Sequence, residues 1–422
     1  MIEQRLVLVG ANHKSAPIWL REKLHCDFGQ ISDRLNAITR NGSGIREGVI
    51  LSTCNRFELY VIADGNENGQ SLLTMLSDWG RTPKNELERH VYTLFDAAAA
   101  SHLFAVASGL DSLILGEQQI QLQVRDAIRI AKRAGTSGSI LSELFQSADR
   151  SATRIRTESG IGLSGTSVSS AAILLLTSKY PTINSILVVG AGRMMSLAAD
   201  QLNLVKKREI LVANRTPQRS QVLSRRVSGI SWPYEQIPSA LERVDAVLTF
   251  TSSDKYVIAA EDISSAVQKR PNKELILIDG SVPRNIDPRT AEIPGVHLYN
   301  VDDLAPFAEP QIPEFSMSHA RMMIDEEVSR FFTKLRSRRA GDTLKELHQL
   351  AEEIRQTELS RAFNRMDKIS SRQKEMIDVL TKRIVNKLLY EPTRRLKKRA
   401  GNGDEAFDLV IRELFAISQE NN

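Results

Sequence analysis

The segment Ile186-Leu-Val-Val-Gly-Ala-Gly-Arg-Met-Met195 constrains the fold more than any other part of the chain. Its apolar start predicts a buried strand, its glycines a tight turn, and the residues through Leu202 a helix. This is most of a dinucleotide fingerprint, in which the glycines let the backbone approach a pyrophosphate at a helix N-terminus. Met195 stands at the place of the usual third glycine. We expect cofactor contacts from Gly190, Ala191, Gly192, Arg193, Met194 and Met195.

The next apolar run, Glu209–Ala213, ends in Asn214-Arg-Thr216, about 24 residues after Gly190. An acidic residue at this strand end would bind the ribose 2′-hydroxyl of NAD, whereas Arg215 can pair with the 2′-phosphate of NADP. We therefore expect NADPH as cofactor, with contacts from Asn214, Arg215 and Thr216 and with Arg219 as support.

Further apolar runs alternate with helical segments through the middle of the chain, at 246–250, 275–279 and 297–299. This alternation predicts a doubly wound parallel sheet. We assign residues 159–305 to a Rossmann-type NADPH-binding domain. Its first residues, 159–167, are rich in Gly and Ser and are expected to form a linker. A Rossmann-like fold without a nucleotide is the structural alternative.

Residues 1–158 predict an α+β domain built around Leu51-Ser-Thr-Cys-Asn-Arg56. Apolar residues on both sides of this segment indicate two short buried strands with Cys54 at the turn between them. Arg56 lies two residues away, and a nearby cation favours the reactive thiolate over the thiol. The plainer interpretation is that Cys54 is a small buried hydrophobe.

Other polar residues of this region are candidates for a site. A loop carries His13 and Lys14, a predicted helix carries His102, and helical spacing places Gln119 and Gln123 one turn apart on one face. Each also has a purely structural interpretation, because loop histidines, helical histidines and surface glutamines are common.

Cys26 and Cys54 are the only cysteines, which excludes a disulfide framework and a cysteine-rich metal site and suits a reducing cytoplasm. We expect no metal. No apolar run approaches the ~18 residues of a membrane span. The net charge of +5 permits a polyanionic partner such as nucleic acid without identifying one.

Residues 306–422 begin with a proline-punctuated linker and then predict helix after helix. Long amphipathic helices with little else bury their apolar stripes against each other or against a second copy. We assign this part to an all-helical dimerisation domain. The basic cluster at 394–399 could touch phosphates, although a solvated helix end is the simpler interpretation.

Taken together, these motifs resemble the glutamyl-tRNA reductases nearly end to end. The resemblance rests on Gly10-Ala-Asn-His-Lys-Ser-Ala-Pro17, Arg21-Glu-Lys-Leu24, Leu51-Ser-Thr-Cys-Asn-Arg56, Ala107-Ser-Gly-Leu-Asp-Ser112, Gly116-Glu-Gln-Gln-Ile120, Ser167-Val-Ser-Ser-Ala171, Gly190-Ala-Gly192 and Tyr299-Asn-Val-Asp-Asp-Leu304. Phe57 and Met195 depart from the common pattern of the family, but neither replaces a group that the chemistry requires.

The resemblance implies NADPH-dependent reduction of the glutamyl group of glutamyl-tRNA to glutamate-1-semialdehyde, the entry to 5-aminolevulinate and tetrapyrroles. Cys54 would form a thioester, His102 would assist catalysis, and the cofactor domain would swing toward Cys54. It implies a homodimer and raises the possibility of handover to glutamate-1-semialdehyde aminomutase. The residues implied to surround the glutamyl group are Thr53, Asn55, Arg56, Ser112, Glu117, Gln118, Gln119 and Gln123.

Two alternatives stay open from the sequence. A small-molecule NADP-dependent dehydrogenase of the shikimate dehydrogenase type also carries an Asn-Arg-Thr motif. A non-catalytic dimeric RNA-binding protein would keep the fold without needing Cys54.

Overall fold

The computed structural model describes residues 4–40, 44–65, 69–161, 167–204, 209–251, 253–308, 313–366, 369–401 and 406–417. Met1–Asp325 form one compact unit and Glu326–Asn422 a second. The two linkers expected at 159–167 and near 306–313 fall partly outside the described residues.

The N-terminal part of the first unit is a four-stranded antiparallel sheet in the order β2-β3-β1-β4. Its strands are β1 (Gln4–Asn12), β2 (Ile45–Ser52), β3 (Arg56–Asp64) and β4 (Tyr92–Phe95). The first three are apolar and almost fully buried. The short strand β4, which pairs with β1, was not expected from the sequence, although Tyr92-Thr-Leu-Phe95 consists of residues that favour strands.

Within the described residues, seven helices accompany this sheet. They are α1 (Ile18–Leu24), α2 (Phe28–Arg40), α3 (Gln70–Gly80), α4 (Lys84–Leu87), α5 (Asp96–Ala107), α6 (Gln119–Ala134) and α7 (Ser139–Ser159). Helix α6 buries the apolar face expected from its spacing and ends at Gly135, whose φ of 72° gives a left-handed C-cap. This part has the predicted α+β class.

The second part is a six-stranded parallel sheet in the order β10-β9-β8-β5-β6-β7. Its strands are β5 (Ser185–Val189), β6 (Glu209–Ala213), β7 (Ile230–Trp232), β8 (Ala246–Thr249), β9 (Leu275–Asp279) and β10 (Val296–Asn300). Its helices are α8 (Val168–Lys179), α9 (Arg193–Leu204), α10 (Pro217–Arg226), α11 (Ile237–Leu241), α12 (Ala260–Gln268) and α13 (Ala305–Ala308). The strand order reverses between β5 and β8, so their carboxyl ends flank the crevice where such sheets bind ligands.

Two separate apolar cores cover the two faces of this sheet. One packs α8 and α9 against residues such as Val188 and Leu248, and the other packs α11 and α12 against residues such as Leu187 and Leu277. The doubly wound parallel sheet predicted from the sequence is confirmed. The three-residue strand β7 was not expected, because it is too short to give a pattern.

The C-terminal helices are α14 (Glu314–Asn364), α15 (Ser371–Gly401) and α16 (Ala406–Leu414). The apolar residues at 322–335 and at 344–363 lie on one helix of 51 residues, α14. Within the second unit, Leu347 of α14, Leu389 of α15 and Ile411 of α16 pack into one buried cluster. Nowhere in the part of the chain described above is a helix both long and apolar enough to cross a membrane.

Candidate active site

Cys54 lies in a tight turn that joins β2 to β3, and both of these strands are almost fully buried. The Thr53 amide donates to the Arg56 carbonyl at 2.8 Å, and the Thr53 hydroxyl accepts from the amides of Asn55 and Arg56, both at 3.2 Å. The β1–α1 loop supports the turn, since the His13 amide donates to the Asn55 carbonyl at 2.9 Å. Thr53 and Asn55 therefore shape the turn that presents Cys54.

The thiol is held in its protonated form. Burial raises the pKa of Cys54 to about 12 and the Glu117 carboxylate adds to the rise, whereas Arg21 and Arg56 lower it less strongly. Arg56 thus acts on the thiol in the direction that the sequence argument expects, but burial and Glu117 outweigh it. A separate base is needed to activate the sulfur.

Arg56 sits in a buried cluster, with only 1% of its side chain exposed. Its Nη1 donates to Glu58 Oε1 at 2.6 Å and to Asp111 Oδ2 at 3.1 Å, and its Nη2 contacts the Asp111 carbonyl. These bonds tie the Cys54 turn to the loop after α5. Both terminal nitrogens are engaged, so a substrate carboxylate would reach Arg56 only by displacing Asp111.

His102 of α5 belongs to the same cluster. Its Nε2 lies 2.7 Å from Glu58 Oε1, and the hydroxyls of Tyr60 and Tyr92 donate to the Glu58 carboxylate at 2.7 and 2.6 Å. Although burial opposes it, His102 and Arg56 hold the pKa of Glu58 well below its usual range. His102 thus reaches the Cys54 turn through Glu58 and Arg56.

Glu117 follows the loop that Arg56 anchors. Burial raises the pKa of the Glu117 carboxyl to about 7, with Arg56 opposing the rise. The loop closes on itself through a hydrogen bond of 2.9 Å from the Gly116 amide to the Gly109 carbonyl. A carboxyl that titrates near neutrality and interacts with the thiol is suited to exchange a proton with it.

Seven buried side-chain polar atoms of the described residues have no hydrogen-bond partner, and three of them belong to this part of the chain: His13 Nδ1, Ser112 Oγ and Gln119 Nε2. Burial, followed by Arg56 and Lys14, lowers the pKa of His13 to about 4, which keeps its imidazole neutral. Unsatisfied buried polar groups are costly unless a ligand satisfies them. Gln123 lies half-buried further along α6, and Gln118 is exposed at the start of that helix.

The glycine turn after β5 has the geometry that a dinucleotide needs. Gly190 has a φ of 103°, and a Cβ atom there would lie 2.4 Å from the Phe250 carbonyl oxygen, whereas a Cβ at Gly192 would meet nothing within 4 Å. The Ala191 amide donates to Asn214 Oδ1 at 3.0 Å, which joins the turn to the end of β6. The backbone at Gly192 is therefore open to a ligand.

Beside this turn is a cleft of about 530 Å³, lined by Ala191, Gly192, Ser196, Gln218, Arg219, Val222 and Leu223. Arg215 and Thr216 are exposed where β6 ends, and the described residues give the Arg215 and Arg219 side chains no ion-pair partner. Met195 is fully buried in the core, and Met194 packs against that core. The Arg193 side chain lies outside the described part of the structure.

Several of these residues could not be singled out from the sequence. Glu58 and Tyr92 stand outside the motifs named from the sequence, and Asp111 lies inside one without having been chosen as a site residue; their partners lie 2 to 55 positions away. Only the charges of Glu58 and Asp111 beside apolar runs gave a hint, because a buried charge needs a partner.

Comparison with known proteins places three family profiles along the chain. Residues 9–159 match the glutamyl-tRNAGlu reductase N-terminal domain, residues 176–307 match shikimate / quinate 5-dehydrogenase, and residues 319–417 match the glutamyl-tRNAGlu reductase dimerisation domain. The dehydrogenase profile covers only the part with the parallel sheet, so the two flanking matches decide against a shikimate-type dehydrogenase.

Full-length relatives agree with this. The chain is 37% identical to a glutamyl-tRNA reductase of Carboxydothermus hydrogenoformans, over 98% of this chain and 93% of the relative. It is 34% identical to that of Brevibacillus brevis, over 98% and 92%. Among solved structures, the reductase of Methanopyrus kandleri is 28% identical with a TM-score of 0.47, covering 94% of this chain and 98% of that one.

Proposed function

The chain belongs to the glutamyl-tRNA reductase family, and from this premise we propose which residues bind the substrate and the cofactor and which carry out the reaction. It is an oxidoreductase that reduces the glutamyl group of glutamyl-tRNA to glutamate-1-semialdehyde with a nicotinamide cofactor. The observation that carries the residue assignment is a cysteine in a rigid turn, beside a carboxyl of near-neutral pKa and buried donors that lack partners.

Cys54 is the nucleophile in this proposal. Its sulfur bonds to the glutamyl carbonyl carbon, the bond to the ribose oxygen of tRNA breaks, and the product is a thioester on Cys54. Glu117 accepts the thiol proton and returns it to the departing ribose oxygen, so no free thiolate has to build up. A thioester accepts hydride far more readily than a carboxylate.

The glutamyl group is held by the polar atoms that lack protein partners. Ser112, Gln119 and the neutral His13 offer hydrogen bonds to it, and Gln118 and Gln123 extend the same polar face. Arg56 binds the side-chain carboxylate of the substrate if that carboxylate takes the place of Asp111. His102 is a positioning residue that keeps Glu58, and through it Arg56, in place.

We infer that the cofactor is NADPH. The open backbone at Gly192, in the turn 190–192, fits a pyrophosphate. Asn214 bonds to the Ala191 amide and to the Thr216 carbonyl and so shapes the edge of the cleft. Arg215 and Arg219 fit a 2′-phosphate. When bound, NADPH supplies the hydride that converts the thioester to the aldehyde and frees Cys54. We expect Arg215→Ala to weaken NADPH binding at least tenfold and NADH binding little. Arg225→Ala, at an exposed position near the end of α10, is the control.

We also propose that two copies associate through the exposed apolar face of α15 and that the protein works in the cytoplasm, where its two free cysteines stay reduced. Direct transfer of the labile aldehyde to glutamate-1-semialdehyde aminomutase is a further proposal. Capture of the aldehyde by an added hydrazine would test it, since channelled product would escape the trap.

The main test mixes the protein with tRNA carrying labelled glutamate, without NADPH, and maps adducts after an acid quench. We expect a labelled thioester at Cys54 that disappears, with release of aldehyde, when NADPH is added. Cys54→Ser removes the adduct and the matched variant Cys26→Ser keeps it, because the Cys26 thiol is buried and Cys26 is not part of the turn. Aldehyde formation by Cys54→Ser would overturn the assignment.

A further inference from the structure

Arg21 of α1 joins the Cys54 turn to the part of the molecule that carries the parallel sheet. Only 1% of its side chain is exposed. Its Nη1 donates to the Cys54 carbonyl at 3.0 Å, its Nε donates to the Ala16 carbonyl at 3.2 Å, and its Nη2 donates to both oxygens of Asp302 at 2.6 and 2.5 Å. Asp302 follows β10, so one guanidinium contacts the nucleophile turn and the cofactor-binding part together.

The next residue makes a second bridge of opposite polarity. The Glu22 carboxylate accepts from the Arg284 amide and Nε, both at 2.8 Å, and from its Nη2 at 2.7 Å. Arg284 lies after β9, in the same part as Asp302. The Glu22 bridge holds the two parts together without contacting the Cys54 turn, which makes it an internal comparison for the Arg21 bridge.

The burial of Arg21 makes its two contacts interdependent. A buried guanidinium that loses its carboxylate partner is left with an uncompensated charge, which is strongly unfavourable. If Asp302 withdraws, Arg21 must turn toward another acceptor or toward water, and its bond to the Cys54 carbonyl is then lost or bent. All three nitrogens of the guanidinium are engaged, Nη2 by Asp302, Nη1 by the Cys54 carbonyl and Nε by the Ala16 carbonyl, so a shift at one end is felt at the other.

We propose that Arg21 is a positioning residue that makes the conformation of the Cys54 turn depend on the docking of the cofactor-binding part through Asp302. The nucleophile turn is in its working geometry only when Asp302 is seated against α1. Because such coupling is reciprocal, seating of the cofactor-binding part and ordering of the turn are one event. The inference rests on the proposed role of Cys54. It predicts that Asp302 affects the acylation of Cys54, a half-reaction that needs no cofactor.

The test uses the full-length protein without NADPH and measures two rates at Cys54. One is alkylation by iodoacetamide, followed on the Cys54 peptide with the buried Cys26 as reference. The other is acylation by glutamyl-tRNA. We expect Asp302→Asn to speed alkylation about fivefold or more, the lower range of typical coupling, because the turn loosens and exposes the buried thiol to the reagent. Acylation slows by a similar factor, because the sulfur is misplaced.

The controls separate this effect from general damage. Glu22→Gln breaks the neighbouring bridge and leaves both rates within about twofold of the wild type, below the range of typical coupling. Asp302→Glu retains the charge and keeps both rates close to wild type, and an unchanged melting temperature of Asp302→Asn excludes misfolding. Equal rates in Asp302→Asn and wild type would refute the coupling, even if the wild type is acylated. If the wild type is not acylated but alkylation still responds to Asp302, the proposed function fails and the coupling stands.

Discussion

The proton of Cys54 is the central problem at the scale of single residues. A thiol with a pKa of about 12 is protonated at neutral pH, so the rate of acylation depends on the base that accepts its proton. Glu117, with a pKa of about 7, is ionised and able to act as base above that pH and protonated below it. Acylation should therefore rise with pH through about 7 and then level off.

Glu117→Gln tests this assignment. The variant should lose about 10²-fold or more in the acylation rate, as is typical for loss of a general base, and should lose the rise near pH 7. Direct alkylation of Cys54 by iodoacetamide should not slow, because removing the Glu117 charge removes one cause of the high thiol pKa. Equal losses in both rates would mean that Glu117 serves only to hold the site together.

His102 gives a second prediction at this scale. Because its Nε2 bonds to the buried Glu58, its contribution is to hold that carboxylate and Arg56 in place. His102→Gln keeps a side-chain N–H and should retain at least about tenfold more activity than His102→Ala, in line with the cost of leaving a buried carboxylate short of one donor. The pH profile of kcat should keep its shape in both. If glutamine is as inactive as alanine and one limb of the profile vanishes, His102 transfers protons itself.

Sequence reasoning at the residue scale reached the side chains that stand in unusual local patterns. Cys54 and Gln119 were chosen from their local patterns, Ser112 and Glu117 only from the resemblance to the family, and the roles of all four stay predictions. The double role of Arg21 could not be predicted, since its partners are Cys54 and Asp302, the latter 281 positions away. Nor could the true state of Arg56, because a sequence does not show that Glu58 and Asp111 neutralise it.

At the scale of elements, Gly190 and Gly192 of the β5–α9 turn have different roles. A Cβ at Gly190 would overlap the Phe250 carbonyl, and a φ of 103° is strained for any side chain. Gly190→Ala should therefore lower the melting temperature, at a cost of about 2 kcal/mol or more in the free energy of unfolding. If the Gly190→Ala variant also binds the cofactor less well, the cause would be its lower stability.

Gly192→Ala is the matched variant, because a Cβ there meets no protein atom within 4 Å. It should melt like the wild type, but the added methyl group blocks the approach of the pyrophosphate. NADPH affinity, measured by fluorescence titration, should fall about tenfold or more, which corresponds to about 1.4 kcal/mol. Normal affinity in Gly192→Ala would place the dinucleotide elsewhere.

The same elements show where prediction from sequence works. Strands β5, β6, β8 and β9 are apolar except at one end because the parallel sheet buries both of their faces, and such runs are easy to identify. Strand β7 has only three residues and pairs at the edge of its sheet, so its own residues carry little signal. The order of the strands was not predicted, since the doubly wound pattern by itself does not fix it.

At the scale of the whole molecule, the exposed face of α15 needs a partner. Met376, Leu380, Ile384 and Leu388 recur every fourth residue and are 49–70% exposed, although Leu389 of the same helix is buried against α14 and α16. A continuous apolar row of this kind on a stable helix marks an association surface. Since residues 319–417 match a dimerisation domain, a second copy of the chain is the occupant that we propose.

Leu380→Glu together with Ile384→Glu should convert the dimer to a monomer, because association would bury the new carboxylates without partners. Light scattering coupled to size-exclusion chromatography would show the halved mass. Asn386→Glu adds a glutamate to an exposed position on the opposite side of α15 and should leave the dimer intact. Acylation of Cys54 in the monomer would show whether one chain holds a complete site for the nucleophile, as the contacts of Cys54, Glu117 and Arg21 within a single chain lead us to expect.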